Sequence, residues 1–72
     1  MNYEKAKSNA LKINPKFNSV FDYGDAWVFS IKGSMSIDNS PVAILKQSGK
    51  VLQFSQYLMT RNTNASPTSI PF

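Results

Sequence analysis

The side chains able to do chemistry are few. Asp22 and Asp25 flank Gly24 in the run FDYGDA. Two carboxylates at that spacing can grip a cation or work as a general acid and base. Calcium, however, asks for six to eight oxygens, and no oxygen-rich neighbours extend the pair. The same spacing fits turn chemistry, in which an aspartate bonds its own backbone, and that is the expected role. The two remaining carboxylates, Glu4 and Asp38, stand far away in sequence.

The chain has no histidine and no cysteine. The common zinc sets cannot be assembled from it, and no disulfide staples it. Its serines lack the imidazole that a Ser-His-Asp arrangement requires. Gly33-Ser34 and Ser48-Gly49 lack the spacing and the following Lys-Ser/Thr of a phosphate loop. These absences predict a protein that is not an enzyme and takes no cofactor or metal.

A positive surplus offers a different kind of chemistry. The net charge is +4. Lys5, Lys7, Lys12 and Lys16 face one acid, Glu4, in the first sixteen residues. Such an end can meet nucleic acid or an acidic protein, or simply be a solvated helix face. Lys16, Lys32, Lys46, Lys50 and Arg61 with Phe21, Tyr23 and Trp27 would make a basic, aromatic sheet of the single-strand-binding kind. The single arginine and the absence of a basic–aromatic motif place nucleic acid third among the possible partners.

Seventy-two residues make one small domain with a modest core. Tyr3, Ala6, Ala10 and Ile13 recur at helical spacing, with Leu11 beside them, and predict a helix from Tyr3 to Ile13. Asn2 is its expected N-cap. Asn14-Pro15 ends it, because a residue before proline avoids the helical region. Lys16 to Tyr23 alternates as a strand. Gly24-Asp25 is a two-residue hairpin loop, and Ala26 to Lys32 returns. GSMSIDNS, residues 33–40, is a loop by composition. Pro41 opens a third strand, Ser48-Gly49 makes a second tight turn, and Lys50 to Phe54 is the fourth strand. Ser55 to Arg61 is expected to be a further helical turn.

The expected architecture is α+β: one N-terminal helix packed on a four-stranded antiparallel sheet of two hairpins. Residues 1–61 form the domain and residues 62–72 an extended C-terminal arm. Both sheet faces carry apolar side chains, which one short helix cannot cover. The helix is assigned to the side bearing Trp27, Phe29 and Ile31. Phe21, Tyr23, Val28 and Ile44 are assigned to an open contact face. Either the arm folds back over that face or it stays partly exposed, or another protein chain covers it, since large exposed apolar patches mark interaction sites. The arm is neutral, and Ile70, Pro71 and Phe72 are its expected anchors, in cis or on a neighbour.

The runs ALKINPKFNSVFDYGDAWVFSIKG and DNSPVAILKQSGKVLQFSQYL resemble small proteins of phages and prophages of Gram-positive bacteria. The matching residues are Asn14-Pro15, Tyr23, Asp25-Ala26, Val28-Phe29, Ser40-Pro41-Val42, Leu45-Lys46 and Gly49-Lys50. The likeness spans Ala6 to Leu58 and implies a virion accessory: a minor capsid, head-decorating or connector-associated protein docked on other chains. The architecture is also similar to small toxin-immunity and PepSY-type domains, which implies a binding or inhibitory module. The amphipathic, charged start has no signal-peptide run, and no stretch reaches the roughly 20 apolar residues of a membrane span. The expectation is synthesis in a bacterial cytoplasm, incorporation in a virion, and no membrane partner.

Overall fold

The computed structural model describes residues 1–32, 41–60 and 66–72. The first helix, α1, runs Tyr3–Ile13. Asn2 caps it, its side chain accepting from the Lys5 N–H at 2.9 Å. Glu4 in the first turn and Lys12 in the last suit the helix dipole. Asn14 takes an extended conformation before Pro15 and stops the helix. Ala6 and Ala10 are fully buried; their small side chains let the helix lie close to the sheet.

Five strands follow: β1 Ser19–Asp22, β2 Ala26–Ser30, β3 Val42–Leu45, β4 Val51–Gln53 and β5 Thr68–Ile70. A second helix, α2, spans Phe54–Thr60. The sheet is antiparallel throughout, in the order β4-β3-β2-β1-β5. The α+β class, the first helix and the helical turn after the fourth strand agree with the sequence reading. The sheet has one strand more than expected. Residues 68–70, assigned to the extended arm, pair with β1 and set Val20 opposite Ile70. The expected loop over residues 33–40 lies outside the described residues, as do Asp38 and Arg61.

The first hairpin turns at Gly24-Asp25, with Phe21 opposite Val28 and Val20 opposite Phe29. Gly24 holds a φ of 91°, where a Cβ would be strained. The second hairpin differs from expectation. Leu45 bonds Lys50 across the strands, and the Gly49 N–H reaches the Leu45 carbonyl at 2.8 Å. The loop is therefore Lys46 to Gly49, four residues rather than two.

The sheet separates two cores. On the α1 side, Phe17, Val20, Trp27, Phe29, Val42 and Ile44 pack with Ala6 and Ala10. Tyr3 lies edge-on to Trp27 at 5.8 Å and stacks with Phe29 at 6.1 Å between ring centroids. On the other side, Ala26, Val28, Ala43 and Tyr57 are buried together. Tyr57 is the buried side chain of α2, and it closes that face over β3 and β4. Each fully buried large apolar side chain contributes on the order of 1.5–3 kcal/mol.

Candidate interaction surface

The paired aspartates turn out to be built into the fold. Asp22 accepts the Gly24 N–H at 2.8 Å, an Asx turn that shapes the hairpin. Its two oxygens also take the Lys46 ammonium at 2.9 and 3.0 Å. The Lys46 bond, then the Gly24 N–H, hold the Asp22 carboxyl below its ordinary pKa. Asp25 accepts a short hydrogen bond from the Tyr57 hydroxyl, and its carbonyl takes the Lys46 N–H at 3.0 Å. The turn thus ties the first hairpin to the second and to α2. Among the described residues, no three His, Cys, Asp or Glu side chains gather where a metal ion could sit.

The residues assigned to an open contact face do not form one. Ile44 is fully buried on the α1 side. The β2–β3 register puts it opposite Trp27, and a one-residue difference in register exchanges the faces of a whole strand. Val28 is 3% exposed, in the core that Tyr57 closes. Tyr23 is half-buried, its ring edge-on to Phe54 and Tyr57 at 5.8 Å each. Phe21 is half-buried, toward the end of the sheet away from β3 and β4, where α2 packs.

The C-terminal anchors dock in cis. Ile70 and Phe72 pack against the α1-side core. The Phe72 ring meets Phe29 edge-on at 6.3 Å, and the Lys7 ammonium lies 4.4 Å from its centre. Lys7 donates to the Phe72 carbonyl at 2.6 Å, and the Tyr3 hydroxyl donates to the same oxygen at 3.1 Å. The Tyr3 hydroxyl also reaches the Pro71 carbonyl at 3.4 Å. Burial, with the nearby Glu4 charge, raises the Tyr3 pKa, so the hydroxyl keeps its proton as donor. Pro71 itself is exposed.

The apolar surface left open lies elsewhere. Apart from Met1, the exposed large apolar side chains among the described residues are Ile13, Val51, Leu58 and Met59. Met59 is 87% exposed. Val51 belongs to β4, Leu58 and Met59 to the helix packed behind it, and Ile13 borders a groove that β4 also lines. That groove, about 420 Å³, lies between the end of α1 and the Pro41–Gln53 seam. Phe17 and Val42 contribute to its wall and Lys16 lines it. A second hollow continues from Pro41 and Gln53 to Phe54 and Ser55 at the start of α2.

The sequence reading missed this side because strand order decides which strand is an edge, and a run of two hairpins leaves that order open. One local signal was available. Phe54 and Tyr57 sit three residues apart and define the inward side of α2, which turns Met59 away from the sheet. Among the described residues, no helix is long and apolar enough to cross a membrane. Compared with protein families, curated proteins and solved structures, the chain matches none.

Proposed function

We propose that this chain is a non-enzymatic docking protein that binds another protein through the side of the molecule built from β4 and α2. The observation that carries the reading is which elements hold the exposed large apolar side chains among the described residues: apart from Met1, they stand on β4, on α2 and at the end of α1. Val51 lies opposite Ile44 on the α1 face of β4, and Leu58 and Met59 lie on α2 behind the other face, whereas both sheet faces are covered at β2 and β3. Large apolar side chains left exposed on both sides of one sheet edge are a surface that an interaction would cover.

The in-cis C-terminal strand favours a compact binding or inhibitory module over a particle subunit that locks its neighbours with an arm. The phage-type resemblance over Ala6 to Leu58 supplies the proposed setting: a bacterial cytoplasm, with a phage or host protein as partner. Nucleic acid is a weaker partner for this surface. Trp27 is buried, and Tyr23 packs on Phe54 and Tyr57, so neither offers an open stacking platform of the kind single strands use.

A photo-crosslinking side chain at Met59, introduced in producing cells, tests the reading. The expected result is one discrete protein conjugate, recovered in a soluble complex. A conjugate confined to sedimenting particles would restore the virion accessory. Crosslinks to nucleic acid alone, or no conjugate at all, would remove the docking reading.

A further inference from the structure

The β4 strand leaves backbone groups open as well as side chains. The Leu45 N–H donates to the Lys50 carbonyl at 2.9 Å, and the Phe54 N–H donates to the Pro41 carbonyl at 3.1 Å. Antiparallel residues alternate between facing the partner strand and facing away. Lys50, Leu52 and Phe54 therefore face β3, and Val51 and Gln53 direct their N–H and C=O groups outward. No strand flanks β4 on that side among the described residues. Both residues are exposed, and neither is proline.

Among the described residues, the charge beside this edge has one sign. Lys16 lines the groove, Lys12 stands in the last turn of α1, and Lys50 precedes β4. The described carboxylates are elsewhere. Asp22 is paired with Lys46, and Asp25 is bonded to Tyr57. Glu4 sits at the opposite end of α1, roughly 13 Å along the axis from Ile13.

We infer that β4 receives an extended, acidic segment of another protein, which adds a sixth strand to the sheet. The inference rests on the docking reading above and specifies its partner. Main-chain bonds to Val51 and Gln53 would hold the segment, as in other strand additions. Its side chains alternate. One set enters the apolar groove between Ile13, Phe17 and Gln53, and the other lies on the α2 side. An acidic residue meets Lys16. A second copy of this chain fits poorly, because pairing two β4 edges brings the lysines of both +4 chains onto one short seam.

The test is selection of randomised twelve-residue peptides on the full 72-residue chain, followed by amide NMR with the most enriched peptide made synthetically. Expected are acidic sequences with apolar residues at every second position, slowed hydrogen exchange at Val51 and Gln53, and affinity that falls with salt. Val51→Pro removes an outward N–H and should weaken binding at least tenfold while the far-ultraviolet spectrum stays unchanged. Lys16→Glu should weaken it severalfold.

Several results would overturn the inference: no enrichment, neutral or basic winners, full affinity in Val51→Pro, or slow exchange at both amides before any peptide is added. Edge broadening that grows with protein concentration alone would assign the site to a second copy. The Met59 crosslink separates the two levels. If the conjugate persists in Val51→Pro, docking stands and strand addition falls.

Discussion

The two edges of the sheet are finished differently. At β5, Thr68 and Ile70 face β1, and the outward positions are Pro67, Ser69 and Pro71. Two of those three have no N–H to offer. At β4, the outward positions are Val51 and Gln53, and both keep theirs. Proline at an edge is a known way to stop unwanted pairing. The β5 edge keeps one outward N–H, that of Ser69; the β4 edge keeps two, has no further strand beside it among the described residues, and is bordered by a groove. The two edges therefore differ in the backbone groups they offer to a further strand.

The contrast can be broken from behind. Tyr57→Ala removes the buried side chain of α2 and its bond to Asp25. It should cost about 3–5 kcal/mol and expose Val28 and Ala43, as measured by urea denaturation. A surface-like loss below about 0.5 kcal/mol would mean that α2 does not close this face.

Proline substitution sharpens the contrast directly. Thr68→Pro removes an N–H that faces β1 and should cost about 1–3 kcal/mol. Val51→Pro removes one that faces outward and should cost less than about 0.5 kcal/mol. Equal losses would mean that the β4 N–H is already bonded.

A smaller effect comes from acid. Asp22 has a lowered pKa in the folded chain, so the unfolded chain takes up its proton first as pH falls. Its contribution is complete above the unfolded value of about 3.9 and is lost as pH drops through the lower, folded value. Asp22→Asn should flatten that part of the stability profile. An unchanged acid limb would mean that the Lys46 pair contributes nothing.

Helix α1 was legible to the residue, because Asn2, the alanine spacing and Asn14-Pro15 are local signals. The first hairpin was legible for the same reason: Gly24 fixes the turn, and the turn fixes the register. The β2–β3 pairing was not. The two strands are separated by residues 31–41, too many to fix a register as a tight turn does, and no local rule states which side of β3 meets Trp27. Ile44 therefore went to the wrong face. The fifth strand was hidden by composition, since Pro, Ser and Thr predict an extended arm as readily as a proline-flanked edge. Ile70 and Phe72 were identified as anchors, but their anchorage in cis was left open. Of the β4 surface, only the outward side of α2 was legible, because being an edge is a property of the assembled sheet.

The pairing of β5 with β1 has a consequence in time. Val20 must wait for Ile70 to be synthesised before its outward backbone groups are paired. At ~5–20 residues per second, the interval between the two lasts a few seconds. Until then, whatever part of the sheet has formed has β1 as an unpaired edge, next to Val20 and Phe29 of the α1-side core. A chaperone or a neighbouring nascent chain therefore meets a different edge from the one the finished protein presents.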